Sequence, residues 1–78
     1  MSEVGINLIC LGLNIRRWRR GMRLTQAELA AKMGCGVGTI SAIEHGRRDV
    51  SIEMLFRLSR ALTCPVKELL QGVGESSA

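Results

Sequence analysis

Apolar residues recur at intervals of three and four along most of the chain, which is the spacing of one face of an α-helix. The first such stripe consists of Leu8, Leu11, Ile15 and Trp18. It predicts a helix from about Asn7 to Met22, with Trp18 facing the core. Strict two-residue alternation, which would indicate strands, is hard to find. The pattern therefore predicts an all-α protein.

The next segment carries a signature of a helix start. The Thr25 hydroxyl can cap a helix, and the Glu28 side chain three residues later can bond back to the Thr25 amide. We therefore predict a second helix from Gln26 to Met33, ended by Gly34. Its inward-facing residues are expected to be Ala27, Ala30 and Met33.

Three more helices are predicted in the second half of the chain. One runs from Val37 to His45 and closes at Gly46. Ser51 caps the next, and Pro65 starts a short last one. The stripe expected to be buried on the fourth helix consists of Ile52, Leu55, Leu58 and Leu62. Core gaps are expected to be filled by Met22, Met33 and Met54.

The size and spacing of these elements limit the function. The second and third helices are separated by a short glycine-containing turn, which is typical of a helix-turn-helix. With 78 residues in total, the chain has little room for both a core and a catalytic cavity, so an enzyme is not expected. We predict one domain over residues 1–71 and a flexible tail over residues 72–78.

Positive charge is concentrated in the middle of the sequence. The net charge is +4, and eight of the 11 Lys and Arg residues lie between positions 16 and 48 with only two acidic residues. Such a distribution indicates a face that binds a polyanion.

Candidate catalytic or metal-binding groups are scarce. The three cysteines are scattered and odd in number, so we expect reduced thiols in the core. His45 is the only histidine and has no catalytic partner at a recognisable spacing. The most apolar stretch, Val4 to Ile15, is shorter than the roughly 20 residues of a membrane span. We expect a cytoplasmic protein with no catalytic residue, no cofactor, no metal and no membrane contact.

The stretch from Leu24 to Gly34, followed by Thr39 to Arg48, resembles the Cro/repressor-type (Xre-like) helix-turn-helix family. Its paired pattern is Leu-Thr-Gln, Leu-Ala and Gly, then Ile-Ser, Ile-Glu and Gly, and the likeness extends from about Ile15 to Leu70. The resemblance implies a five-helix lambda-repressor-like DNA-binding domain. It also implies a transcription regulator that binds double-stranded DNA.

The resemblance also assigns candidate DNA-binding residues. Gln26 looks like the family's glutamine that bonds a phosphate, and Arg47 and Arg48 lie in the loop that follows the DNA backbone. Arg19 matches an arginine that pairs with the glutamate at Glu44 near the backbone contact, and we include it among the DNA contacts. Positions that face base edges or flanking phosphates are Val37, Gly38, Thr39, Ser41, Ala42 and His45.

A finer resemblance concerns the segment from Ile43 to Ser51, which is similar to the controller proteins of restriction-modification systems. Unlike those proteins, the chain has apolar Val37 and Gly38 where the recognition helix starts, so we expect few direct hydrogen bonds to bases. One monomer reads too few base pairs for specificity in a genome, so we expect a homodimer on a pseudo-palindromic operator, with RNA polymerase as a further partner. Its expected surface comprises Met54, Phe56, Val66, Leu69 and Leu70.

Two alternatives from other classes stay open. The fold would also suit an antitoxin that binds and neutralises a toxin protein, although the short C-terminal segment offers little to wrap such a partner. The region from Ile15 to Arg20 would also suit a helix on a membrane surface, but the helix-turn-helix signals would then have no purpose.

Overall fold

The computed structural model describes residues 6–74. Over that range the chain forms five helices and no strand, which confirms the predicted all-α class. Each predicted helix is present, and both ends of the first three lie within about one residue of those expected. The helices are α1 (Leu8–Gly21), α2 (Gln26–Met33), α3 (Val37–Glu44), α4 (Ile52–Leu62) and α5 (Val66–Leu69).

Local sequence explains where the helices begin and end. The Glu28 amide donates to the Thr25 hydroxyl at 3.0 Å, and the Thr25 amide donates to the Glu28 carboxylate at 2.8 Å. This reciprocal cap starts α2 as predicted. The Ser51 hydroxyl accepts from the Met54 amide at 3.1 Å and starts α4. Gly34 ends α2 with φ +68°, a conformation that other residues adopt only at a cost.

A single core joins the helices. Contacts between α2 and α3 hold the domain together, while α1 packs on α3, α4 and α5, and α4 packs on α2 and α5. The largest fully buried side chains come from all five helices and are Ile15, Leu29, Ile40, Ile43, Leu58, Leu62 and Leu69. Because α3 contributes two of them, its inward side is fixed and its outward side is left for other contacts.

Several predicted core positions are exposed. Ile52 is 75% exposed, since 3.6 residues per turn place it about 120° around α4 from the buried Leu58. Ala27 is exposed for the same reason, at about 160° from Leu29 on α2. Met22 follows the end of α1 and is also exposed. The predicted burial of Ile52, Ala27 and Met22 was therefore wrong.

The other side chains predicted to lie in the core are at least partly buried. Trp18 and Met54 are partly buried against the core, and Met33 is fully enclosed. All three cysteines are free thiols, as predicted. Only Cys64 is buried, however, and burial raises the pKa of its thiol, while Cys10 and Cys35 lie at the core margin.

Residues 72–74, which the predicted boundary assigns to the tail, pack against the domain. Val73 is buried, and its carbonyl accepts a hydrogen bond from the Asn7 amide at 2.9 Å. The Asn14 side chain donates to the carbonyls of Leu69 and Gln71 at 2.8 and 2.9 Å, which ties α1 to the end of α5. Residues 75–78 of the expected tail lie outside the described residues.

The backbones of α1 and α3 meet at Gly12. A Cβ atom at this position would lie 2.4 Å from the Glu44 carbonyl oxygen and 2.5 Å from that of Ile43. Such distances leave no room for a methyl group, and the obstacle is backbone rather than a flexible side chain. Glycine at position 12 therefore sets how closely α1 approaches the last turn of α3.

Gly12→Ala is expected to lower the free energy of unfolding by about 2 kcal/mol, because α1 and α3 must separate to admit the new methyl group. Gly21→Ala in the same helix is the matched control, since a Cβ there would meet nothing within 4 Å. This control should be neutral or gain up to about 1 kcal/mol from helix propensity. Urea denaturation followed by circular dichroism measures both, and equal effects at the two sites would contradict the close approach.

Candidate nucleic-acid interface

A short turn fixes α3 against α2. The Gly34 amide donates to the Ala31 carbonyl at 3.2 Å, and the Cys35 amide donates to the Ala30 carbonyl at 3.0 Å. These bonds satisfy the last turn of α2 and reverse the chain within three residues. The chain enters α3 at Val37, and the buried Ile40 and Ile43 seat this helix on the core. The arrangement has the geometry of a helix-turn-helix.

The outward side of α3 is accessible and has small side chains. At the start of the helix, Val37 is 50% exposed, and a Cβ at Gly38 would meet no atom within 4 Å. His45, at the other end, is exposed, and its ring Nδ1 lies 2.8 Å from the Ser41 carbonyl oxygen. The partly buried positions on this side are Thr39, Ser41 and Ala42. All six positions predicted to face base edges or flanking phosphates are therefore at least partly exposed.

A buried ion pair joins α1 to the last turn of α3. The Arg19 guanidinium donates to both oxygens of the Glu44 carboxylate, at 2.6 Å from Nε and 3.0 Å from Nη2. Its Nη1 donates to the Leu24 carbonyl at 2.7 Å. From the start of α2, the Gln26 amide donates to Glu44 Oε1 at 3.0 Å. A single carboxylate thus connects three helices. The predicted pairing of Arg19 with Glu44 is present, and the bond from Gln26 adds to it.

Burial and hydrogen bonding act on Glu44 in opposite directions. Burial by itself would raise the pKa of the carboxyl group. Hydrogen bonds from Arg19 and Gln26, together with the positive charges of Arg19 and Arg16, outweigh burial and hold the pKa below its ordinary value of 4.5. The group is consequently ionised at neutral pH and attracts its partners as a carboxylate.

The structure places Arg19, which the resemblance puts among the DNA contacts, largely inside the protein. Only 9% of its side chain is exposed, and three of its donor groups are engaged inside the protein. Arg19 therefore holds the Glu44 carboxylate in place, and its contact with DNA stays a prediction. Gln26 itself is partly exposed, and its side-chain nitrogen is the atom that bonds to Glu44.

The loop after α3 presents two cations beside it. Arg47 and Arg48 are both exposed. The Arg47 amide donates to the Ala42 carbonyl at 2.9 Å, so the loop backbone is anchored to α3. Gly46 has φ +71°, and a Cβ there would lie 2.8 Å from Ile9 Cγ1 on α1. The start of α1 therefore holds this loop in place, as it holds the last turn of α3.

Sequence reasoning missed the close contacts made by Gly12 and Gly46 with neighbouring backbone and side chains. A glycine inside the first predicted helix was the available signal, because glycine lowers helix stability and persists there when close packing requires it.

Between residues 6 and 74, no three His, Cys, Asp or Glu side chains are grouped closely enough to hold a metal ion. In the same range, no helix has both the length and the apolar character needed to cross a bilayer.

Glu44→Gln is expected to lower the free energy of unfolding at neutral pH by about 3 kcal/mol, because it leaves the buried Arg19 charge without a counterion. Folding lowers the pKa of Glu44. The stabilisation that its carboxylate contributes is therefore complete above pH 4.5, and it is lost as the pH falls through the pKa of Glu44 in the folded state. Urea denaturation across the acid range should show the difference between the wild type and this variant shrinking toward zero.

The exposed carboxylate of Asp49 offers a control in the adjoining loop. Asp49→Asn should change the free energy of unfolding by no more than about 0.5 kcal/mol at any pH. A difference between wild type and Glu44→Gln that persists unchanged in acid would show that the ion pair is not its source.

Comparisons with known proteins agree with this geometry. A helix-turn-helix family model matches residues 15–69. An uncharacterized HTH-type transcriptional regulator of Sinorhizobium fredii is 35% identical over 66 residues, which cover 85% of this chain and 86% of the relative.

Two solved structures show the same arrangement. The restriction-modification controller protein C.AhdI from Aeromonas hydrophila is 31% identical with a TM-score of 0.76, over 80% of this chain and 94% of that one. The clp gene regulator ClgR from C. glutamicum is 28% identical with a TM-score of 0.82, over 96% of this chain and all of that one. The chain belongs to the helix-turn-helix family of DNA-binding transcription regulators.

Proposed function

We propose that this regulator binds a specific pseudo-palindromic operator as a homodimer, with α3 in the major groove. The observation that carries the proposal is the accessible side of α3. Gln26 and the arginines of the following loop lie beside this helix, and the buried Arg19–Glu44 pair holds it in place. A rigid helix with cations beside it fits the groove of a duplex and the phosphates along it. The family assignment favours this binding role over an enzymatic one.

Affinity is assigned mainly to contacts with the DNA backbone. Arg47 and Arg48 displace counterions from the DNA when they approach its phosphates, and the affinity therefore falls as the salt concentration rises. Gln26 adds a neutral contact and is oriented by its bond to Glu44. These residues fix the register of α3 without reading the sequence.

Base recognition is assigned to the first half of α3. Val37 is placed to contact a thymine methyl group, and Thr39 or Ser41 to bond a base edge. Gly38 and Ala42 permit close approach of the helix to the groove floor. Because α3 has no Arg, Asn or Gln to make a bidentate bond to a base, we assign much of the specificity to the shape of the DNA.

Two copies are needed because one recognition helix reads too few base pairs for specificity in a genome. A symmetric pair would place the two α3 helices in half-sites about 34 Å apart. Occupancy would then rise steeply with protein concentration, since dimerisation and DNA binding are coupled. RNA polymerase beside the operator is the proposed further partner, and the cytoplasm the proposed location.

We assign the protein to the control of a restriction-modification system. Support comes from the similarity of the whole domain to the controller protein from Aeromonas hydrophila.

Selection of bound sites from random duplex DNA tests the proposed binding of a homodimer to an operator, because it reports the sequence, symmetry and spacing of the operator together. Two inverted half-sites one helical turn apart are expected. Enrichment of no sequence would contradict the proposal, and copurification with a toxic protein would favour the antitoxin alternative.

Arg48→Ala is expected to weaken binding to the operator and to random duplexes alike. The slope of log Kd against log salt concentration should fall by about one, because one phosphate contact is lost. Lys67→Ala removes an exposed cation from α5, which packs on α1 and α4, and it should leave the slope unchanged. Fluorescence anisotropy over a range of salt concentrations measures both variants, and a change confined to base preference would contradict the backbone role.

Gln26→Ala is expected to reduce affinity for every duplex by roughly tenfold while leaving the salt slope unchanged, because the amide is neutral and releases no counterion. Gln71→Ala provides a matched control, since its side chain is exposed beyond α5. The same anisotropy titrations apply. Should Gln26→Ala alter the preference at a single base pair instead, Gln26 reads sequence and the assignment is wrong.

A further inference from the structure

The outer face of α1 is divided along its length into an apolar half and a cationic half. Ile9 and Leu13 form the apolar half and are 64% and 49% exposed. The cationic half begins about one turn later and consists of Arg16, Arg17 and Arg20. With 3.6 residues per turn, all of these positions fall within about 100° around the helix. They therefore form one continuous surface, which we call the α1 stripe.

The rest of the domain does not cover the α1 stripe. Leu11 and Ile15 lie on the opposite side of the helix and are buried in the core. Gly12 faces α3, about 90° around the helix from the middle of the stripe. On the outer side, an open depression of about 380 Å³ is lined by Leu13 and the three arginines. The stripe is therefore accessible to another molecule.

Within the described residues, no carboxylate pairs with the arginines of the stripe. The ion pair between residues 6 and 74 is that of Arg19 with Glu44, and it lies inside the protein. Arg17 and Arg20 are exposed, while Arg16 is partly buried and its charge also attracts the Glu44 carboxylate. The helix itself contributes no acidic residue. The cationic half of the stripe is thus complementary to an anionic partner.

The helix dipole accounts for only part of this positive charge. Cations stabilise a helix within its last turn, where Arg19 and Arg20 lie. Arg16 and Arg17 come earlier, and Arg16 precedes Arg20 by four residues, a spacing at which like charges repel. Carboxylates bound to the stripe would relieve this repulsion. The adjoining apolar half gains instead from contact with other apolar side chains.

A protein segment suits both halves of the stripe better than a nucleic acid or a bilayer does. Phosphates of a duplex would pair with the arginines but would offer no apolar contact to Ile9 and Leu13. A helix that lies on a bilayer keeps its apolar side chains on one face and its cations on the other. In α1 the two kinds share one face, so immersing Leu13 would also immerse Arg16 and Arg20.

We infer that the α1 stripe binds an amphipathic helix of another protein, which has carboxylates in its N-terminal half and apolar side chains in its C-terminal half. Carboxylates are favoured near a helix N-terminus, which carries partial positive charge. The partner would therefore run antiparallel to α1, with its apolar residues over Ile9 and Leu13. From Ile9 to Arg20 the stripe spans about 17 Å, which about three turns of a partner helix cover.

This inference goes beyond the proposed operator binding and requires neither the homodimer nor DNA. A designed peptide of about 16 residues tests it, since that length gives more than three helical turns. The peptide has glutamates spaced three and four apart in its N-terminal half, leucines at the same spacing in its C-terminal half, and alanine elsewhere. Fluorescence anisotropy should show saturable binding to the wild type. Peptides with glutamine for glutamate, or alanine for leucine, should bind at least about tenfold more weakly.

Exchange of charges tests whether the arginines make the contact. Arg17→Glu combined with Arg20→Glu should weaken binding of the acidic peptide by at least about tenfold. A peptide with lysine at the glutamate positions should bind this double variant and not the wild type. Arg60→Glu combined with Lys67→Glu makes the same change in net charge on α4 and α5. This control should leave the affinity for the acidic peptide within about threefold of that of the wild type.

Leu13→Ser tests the apolar half and should weaken binding of the acidic peptide by about tenfold. Ile52→Ser on α4 is the control for loss of an exposed apolar side chain and should bind the peptide like the wild type. Because Leu13 and Ile52 are 49% and 75% exposed, both variants should fold. Circular dichroism verifies the fold of every variant.

The other classes of ligand are tested in parallel. Vesicles of phosphatidylserine and phosphatidylcholine should show no binding that depends on Leu13. The double variant at Arg17 and Arg20 should keep the wild-type salt slope for duplex DNA, because the inference gives these arginines no phosphate contact. Wild type that does not bind the acidic peptide, or binds the glutamine peptide equally well, would overturn the inference. So would Leu13-dependent binding to vesicles, or a salt slope reduced by about two in that double variant.

Discussion

The orientation of the recognition unit depends on one buried carboxylate. Glu44 lies in the last turn of α3 and accepts hydrogen bonds from Arg19 on α1 and Gln26 on α2. Removing an ion pair from water costs free energy that its attraction recovers only with good geometry, so its net contribution to stability is small. The ion pair instead fixes the orientation of the helices, because the planar guanidinium and the amide fit the carboxylate in one relative placement of the three helices.

Close packing supports the same end of α3. Gly12 lets the backbone of α1 touch the carbonyls of the last turn, and Gly46 lets the following loop pass against Ile9. The first half of α3 has no comparable polar anchor and is seated by Ile40. The helix is thus fixed at its C-terminal end and accessible at its N-terminal end, which is the end that helix-turn-helix proteins present to base edges.

Much of the fold could be predicted from the sequence because its helix ends are encoded locally. Thr25 and Glu28 form the expected cap, and Gly34 adopts the expected left-handed conformation. The family pattern also predicted the Arg19–Glu44 pair, which joins residues 25 positions apart. The sequence pattern alone could not reveal the burial of Val73, since that depends on how α1 and α5 pack.

Ile52 shows a different limit of sequence reasoning. A spacing of three between Ile52 and Leu55 fits a helical stripe, but the helix turns enough by Leu58 to leave Ile52 facing solvent. Its exposure beside Phe56 is therefore a property of the surface and not a defect of the core.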